Sequence, residues 1–340
     1  MLRIHFTDAD LMRVRVAARP DPLWEIFFSL LRFQNRKGLW AYAGWHRTAR
    51  EALHDKGLAP VVRNVLLPLY PSGTYFPDFL TPGEASEGLD AGLDAILDVP
   101  KTRVLRELRI LDKVSGAPAW AGQLTDIQPR KEFVRTVQTY YDVAIRPHGD
   151  HIQAHIDADR SVRARALLDG GMDGLLAGLG PYMRWRRPIL EVEYAEDRDL
   201  YLQGRGLTLV PSYFCWGAPV SLADSGLPPV LAYPLRHAAS RTDRTGGTGE
   251  TGATGAQKPR APLAALLGTT RAVILQATAV GATTGELARA AGVSAASATR
   301  HTTVLRDAGL LVSHRHGPSV LHTLTPTGAA LLRPDPALRA

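Results

Sequence analysis

Apolar positions recur with different periods along the chain, and each period predicts an element. Residues 2–6, Leu-Arg-Ile-His-Phe, alternate with period two and read as a short strand. Asp21 followed by Pro22 reads as a helix start, since an Asp side chain caps free N–H groups and Pro suits the first turn. Behind it Leu23, Trp24, Ile26, Phe27, Phe28, Leu30 and Leu31 recur at helical spacing. Residues 128–168 have the pattern of one or two amphipathic helices, broken at Pro147, His148 and Gly149. The runs 206–211 and 229–234 are short, apolar and bounded by Gly or Pro, as strands are. No internal repeat is present. Near the end of the chain, 271–277 predicts a short helix with Val273, Ile274 and Ala277 on one side. Thr283 and Glu286 have the spacing of a capping box, opening a helix that stops at Gly292. Val293 fills the turn. Ser294 then caps a second helix, 295–308, which ends at Gly309 and whose buried side is expected to be Ala298, Val304, Leu305 and Ala308. Residues 310–316 and 319–324 read as a hairpin turning at Gly317-Pro318, and Pro326 opens a last short helix through Leu332.

These elements fall into two groups. Residues 240–260 contain no aromatic and no aliphatic larger than alanine, and are rich in Gly, Thr and charge. Such a stretch cannot bury a core, so it reads as a flexible linker. All six tryptophans precede it, and no Phe, Tyr or Trp follows Tyr233. The expected organisation is a domain over 1–239, a linker over 240–260 and a second domain over 261–340. The fold class is α+β, mainly helical: a large mixed N-terminal domain plus a C-terminal winged helix-turn-helix. Two helices joined by a short Gly-containing turn, followed by a hairpin, make that second fold.

Composition narrows the setting. Cys215 is the only cysteine, which excludes an internal disulfide or a thiolate zinc site, and its neighbours Phe214 and Trp216 suggest a small buried hydrophobe. No run has the length or apolarity of a membrane span, and the N-terminus lacks a secretory signal pattern, so a cytoplasmic protein without membrane contact is expected. The net charge of +7 is unevenly placed: residues 261–340 hold seven Lys/Arg against three Asp/Glu, and 240–260 hold four against two. A local positive excess suits a polyanion.

The second helix of the C-terminal pair sharpens that expectation. Its early turns carry Ser294, Ser297, Thr299, Arg300, His301 and Thr302, with Arg306 later and no carboxylate before Asp307. Hydroxyls donate to phosphate oxygens, and Arg can grip a guanine edge through two hydrogen bonds. An ordinary solvated face would mix Glu with Lys. The hairpin tip adds Arg315 and His316, placed to meet the backbone or the minor groove. These nine residues are the candidate contacts to double-stranded DNA.

The combination of Ser294, Ser297, Thr299, Arg300, His301, Leu305, Arg306, Ala308, Gly309 and Leu310, then a hairpin and His322, Leu324, Thr325 and Gly328, resembles the ArsR family of winged-helix repressors. The resemblance covers about 70 residues, a single winged-helix module. It implies a homodimer on an imperfectly palindromic operator, with the named residues on the recognition helix and repression relieved by an inducer. Metal-sensing members carry a cysteine-based motif in the helix before the turn; residues 284–292 hold neither Cys nor His, which sets arsenic or zinc sensing aside. The N-terminal region resembles, more loosely, a domain of unknown function found ahead of such winged helices in GC-rich bacteria, through Ile4, Phe6, Thr7, Asp10, Leu11 and Arg15, Pro20 to Glu25, and Gly204 to Phe214. That resemblance implies effector sensing, dimerisation or both, and supplies no activity.

Other clusters carry less. His148, His151 and His155, with Asp150, Asp157 and Asp159, have partly metal-like spacing, but read better as a polar helix start. Gly170, Gly171, Gly174, Gly178 and Gly180 match no phosphate loop and read as helix breaks. Arg184-Trp185-Arg186-Arg187 reads as a surface corner, and Trp24, Trp40 and Trp45 as core or the wall of an apolar pocket. No catalytic constellation stands out, so no catalytic residue, metal site or cofactor is assigned and the chain is not expected to be an enzyme. The alternatives are a metal-dependent enzyme, or a partner-recruiting domain, fused to the DNA-binding module; the effector, a possible small molecule, is not identified by sequence.

Overall fold

The computed structural model describes residues 1–35, 37–73, 75–235, 261–278, 281–316 and 319–332. It divides into two compact units: Met1–Ile156 with Arg163–Leu235, and Asp157–Val162 with Arg236–Ala340. The segment 240–260 expected as a linker lies outside the described residues. No helix among those described is long and apolar enough to cross a membrane.

The first unit is mixed. β1 (Leu2–His5), the single turn α1 (Asp8–Leu11) and β2 (Arg15–Val16) lead into α2 (Pro22–Gln34), α3 (Leu39–Asp55) and the short α4 (Ala59–Val61). Then come α5 (Leu89–Asp98), α6 (Lys101–Ser115), α7 (Ile127–Tyr140) and α8 (Gly149–Ala177), of which Asp157–Val162 is assigned to the second unit. Strands close the unit: β3 (Met183–Arg186), β4 (Ile189–Val192), β5 (Arg198–Tyr201), β6 (Thr208–Ser212), β7 (Val220–Ser221) and β8 (Val230–Pro234). They form two four-stranded sheets, in the orders β3-β4-β1-β5 and β2-β6-β8-β7. β1 carries the alternation read from sequence, with Leu2 and Ile4 buried, and Ile4 faces Leu190 on one side and Leu200 on the other. β6 and β8 pair in parallel, Leu209 opposite Leu231.

α2 is the centre of the larger core. Leu23, Trp24, Ile26, Phe27, Phe28 and Leu30 are all buried, and so are Glu25, Ser29 and Arg32 on its one polar stripe, so the helix is enclosed around its circumference. Phe27 stacks on Phe76 at 4.0 Å and Trp24 on Phe28 at 5.8 Å. Tyr42 and Trp45 of α3, Leu93 and Ile96 of α5, Leu108 of α6 and Val137 of α7 belong to the same core. A second core joins β1, β4, β5, β6 and β8 to Leu175 and Leu176 at the end of α8. Asp21 caps α2 as expected, its Oδ1 accepting from the Leu23 and Trp24 amides at 3.0 and 3.1 Å. The break expected near Pro147 is a pair of irregular turns, Tyr141–Ile145 and Arg146–His148, between α7 and α8. Gly170 and Gly171 interrupt α8, as the glycine series suggested.

The other clusters resolve into packing. Cys215 is fully buried and burial pushes its thiol well up. Trp24 and Trp45 are core residues; the Trp40 side chain lies outside the description. Trp185 donates from Nε1 to Asp173 at 2.7 Å, and Arg187 pairs with Asp8 at 2.7 Å. The histidine cluster differs from the expected polar helix start: His155 is buried, and its ring packs 4.7 Å from His151 and 5.2 Å from Tyr213. His151 Nε2 lies 3.0 Å from the Tyr213 hydroxyl. Tyr213, on a distant segment, turns this helix face into an interior one.

Charged side chains also sit inside this unit, each bound to backbone. Glu25 of α2 is 1% exposed, yet accepts from the Tyr213 amide at 2.8 Å, the Phe214 amide at 3.1 Å and the Ser212 hydroxyl at 3.0 Å. Burial pushes its pKa up to about 7, against the pull of those donors. Asp78 accepts from the Ala223 and Asp224 amides at 3.0 and 2.7 Å. Arg130 donates to the carbonyls of Leu97, Val99, Leu124 and Thr125. Each tie pins a loop to a helix. Glu25→Ala strands two buried amides, which is expected to cost about 3 kcal/mol. Urea unfolding followed by tryptophan fluorescence measures it, because every Trp lies in this unit; an unchanged midpoint would refute the role.

Candidate nucleic-acid interface

The second unit begins with α9 (Ala261–Leu267) and α10 (Thr269–Ala277), followed by β9 (Ala282–Thr283), α11 (Thr284–Ala291) and α12 (Ala295–Asp307). β10 (Leu311–His316), β11 (Ser319–Leu324) and α13 (Pro326–Leu332) complete it. Its core is aliphatic: Ile274 and Leu275 from α10, Leu287 from α11, Leu305 from α12, and Leu310 and Leu311 at the entry to β10.

The local signals read from sequence are realised as geometry. Glu286 accepts from the Thr283 amide and hydroxyl, both at 2.8 Å, while the Thr283 hydroxyl caps the helix. Gly292 ends α11 in the left-handed region, at φ 64°, which lets the chain reverse into α12 within three residues. Ser294 caps α12, its hydroxyl accepting from the Ser297 amide at 3.2 Å. Gly328 is needed for a different reason: a Cβ there would lie 2.1 Å from the Leu310 carbonyl oxygen, so only glycine lets α13 start against the strand.

α12 is the second helix of the pair, and its rotation decides which side chains face outward. The buried stripe is Ala298, Thr302 and Leu305. These positions are four and three apart, one helical face. Thr299, Arg300 and Arg306 are exposed, Ser294 is exposed at the cap, and Ser297 and His301 are partly exposed along the flank. Arg300 lies nearly opposite the stripe, and no ion pair or hydrogen bond engages its guanidinium among the described residues. The Arg306 guanidinium is held against Asp307, Nη2 to Oδ1 at 3.2 Å.

Three expectations are corrected here. Thr302 is only 2% exposed and donates to the Thr299 carbonyl at 3.0 Å, so it faces the core and cannot reach a nucleic acid. Val304, expected inside, is 44% exposed, and Ala308 is exposed too. The sequence reading aligned the helix on its bulkiest aliphatics; packing instead took in Thr302, whose hydroxyl is satisfied within the helix. The same rotation brings Ala296 and Thr303 to the outward side beside Arg300. Both were missed, and a strict i, i+4, i+7 register from Ala298 would have found them.

β10 and β11 pair antiparallel from Leu311 with Leu324 to His316 with Ser319, and β9 adds to β11, giving the order β10-β11-β9. Arg315 and His316 therefore stand at the far end of the wing strand. Their side chains, and the turn residues Gly317 and Pro318, lie outside the described residues. His322 holds the wing to the helix pair: its Nε2 lies 2.9 Å from the Thr284 hydroxyl and its Nδ1 2.8 Å from the Ser313 hydroxyl.

Residues 269–314 match the family model described as a helix-turn-helix domain. The matched stretch runs from α10 through α12 into β10, and supports a DNA-binding transcription regulator. No curated protein and no solved structure matches the chain.

Burial, with repulsion from Arg306, lowers His322 from 6.5 to about 4, so the ring is neutral in the folded unit. The unfolded chain binds that proton more tightly, so the stability the site supplies is whole above about pH 6.5 and is lost as the pH falls towards 4. In an NMR titration the His322 ring resonances should stay at their neutral positions well below pH 6.5; a midpoint near the ordinary value would show the clasp to be open.

Proposed function

We propose that this chain is a transcription repressor that binds duplex DNA as a homodimer on a palindromic operator and releases it when an effector reaches the N-terminal domain. In this reading 1–239 senses or dimerises, 240–260 links, and 261–340 reads DNA in the cytoplasm. The observation that carries it is the outward placement of Arg300 on the second helix of a helix-turn-helix, with no acidic partner among the described residues. A guanidinium so held can take two acceptors of a guanine edge in the major groove. Ser294, Ser297 and Thr299 supply short hydroxyls for phosphates, and the cap of α12 adds the positive end of a helix. His301 and Arg306 flank the groove walls, while Arg315 and His316 on the wing meet the backbone or minor groove. The likeness of this segment to ArsR repressors supports the homodimer, the palindrome and the inducer.

The full chain should shift a DNA fragment from its own promoter region, with affinity falling steeply as salt rises. Arg300→Ala is expected to weaken specific binding by about 1–3 kcal/mol. Thr302→Val, which alters only the core side of the same helix, should leave operator preference unchanged. Failure of every promoter fragment to shift at low salt would overturn the reading, and equal losses in the two variants would remove Arg300 from the interface.

A further inference from the structure

One buried charge in the first unit is less fully served than Glu25, Asp78 and Arg130. Arg32, in the last turn of α2, is only 5% exposed. Its Nη1 donates to the Lys37 carbonyl at 3.0 Å and its guanidinium lies 5.7 Å from the centre of the Tyr42 ring. Its Nε is buried with no hydrogen-bond partner. The groups that act on it electrostatically are Tyr42 and Cys215, both neutral at ordinary pH, and no carboxylate pairs with it among the described residues. The contrast within the unit is sharp. Arg130 reaches four carbonyls, Arg103 pairs with Glu107 at 2.7 Å, and Arg106 pairs with Asp224 at 2.6 Å. A charge taken out of water without a counterion is costly, and a fold that keeps one gains nothing from it in stability.

Arg32 forms part of the wall of a cleft of about 750 Å³ within this unit. That is the size of a small-molecule site. Phe27, Leu31, Phe76, Ile110 and Val114 give the cleft apolar walls, and Lys37, Arg106 and Arg198 line it with Arg32. The acids around it are committed elsewhere. Asp78 is bound by two backbone amides, Glu107 by the Phe79 amide and Arg103, and Asp224 by the Gly226 amide and Arg106. Glu196, the remaining acid, neighbours Tyr194 and does not act on Arg32. The wall is closely packed beside Lys37. A Cβ on Gly38, at φ 68°, would lie 2.4 Å from the Trp216 ring, so the indole lies directly on the backbone that follows Lys37.

We propose that this cleft binds a small organic anion: an apolar, drug-sized body bearing one carboxylate, which takes the Arg32 guanidinium as its counterion. A guanidinium with no carboxylate beside it favours an anion in the cleft, and Arg198, which also lines the cleft and whose guanidinium donates only to the Leu222 and Ala223 carbonyls among the described residues, adds to that preference. The apolar walls exclude a bare inorganic anion as the best occupant. The site goes beyond the reading of the chain as a DNA-binding regulator and does not rest on it, because binding is read on the protein without DNA.

The test is calorimetric titration of the full chain with 2-naphthoate and with its neutral counterpart 2-naphthamide. Naphthoate should bind saturably, once per chain, and at least tenfold more tightly than the amide. Arg32→Met keeps the length and apolar bulk of the side chain. It should abolish that preference while leaving the thermal midpoint equal or higher, since it removes a buried charge that had no counterion. Absence of saturable naphthoate binding, equal affinity for the two probes, or a preference retained in Arg32→Met would each overturn the proposal. The comparison of the two probes on the unaltered protein decides without any variant, so a folding defect in Arg32→Met would not rescue it.

Discussion

A helix that is buried on every side cannot rest on a surface, and α2 imposes that constraint on the first unit. With Leu23, Ile26 and Leu30 all at 0% exposure, the surrounding helices and the strand-rich segment must close round it. Enclosure then governs its polar groups, because a buried donor or acceptor without a partner is penalised far more than a satisfied one is rewarded. Glu25 meets this condition by drawing the 212–214 backbone onto the helix, and Asp21 meets it by capping. The loops of the unit are held by such ties as much as by apolar contact. Arg32 stands on the same helix and leaves one nitrogen unserved. The constraint that organises the unit thus also marks where the unit is incomplete.

The second unit obeys the same logic on a smaller scale. Its core is built from short aliphatics, and the stripe Ala298, Thr302, Leu305 fixes the rotation of α12. That rotation turns Arg300 outward, and it takes Thr302 out of reach. A functional surface is here the remainder of a packing solution: the residues able to touch DNA are those the core did not claim. His322 serves both sides of this arrangement. It closes the wing against the start of α11 through two hydroxyls, and only a neutral ring can accept from one while donating to the other.

How much of this was legible in the sequence depends on how local the determining physics is. Caps and terminators are set by two or three neighbouring residues, and Asp21, the Thr283–Glu286 pair, Ser294 and Gly292 were all readable in advance. Strand alternation at Leu2 and Ile4 and the helix-turn-helix spacing were readable for the same reason. The face of α12 was only half readable. Its periodicity is weakened by alanines and threonines, so the sequence named Arg300 and Thr299 correctly as outward but placed Thr302 and Val304 on the wrong sides.

What the chain by itself determined is therefore the kind of each local element, the contrast between an aromatic-rich first region and an aromatic-free second one, and the residue types offered to a polyanion. What only the tertiary structure decided are the partners separated by long stretches of chain. Glu25 with residues 212–214, Asp78 with 223–224 and His155 with Tyr213 could not be inferred from spacing, because no periodicity links positions so far apart. Whether a buried charge such as Arg32 finds a counterion is likewise a property of the assembled interior. Charge is written in the sequence, but its compensation depends on which segments folding brings within a few ångströms of it.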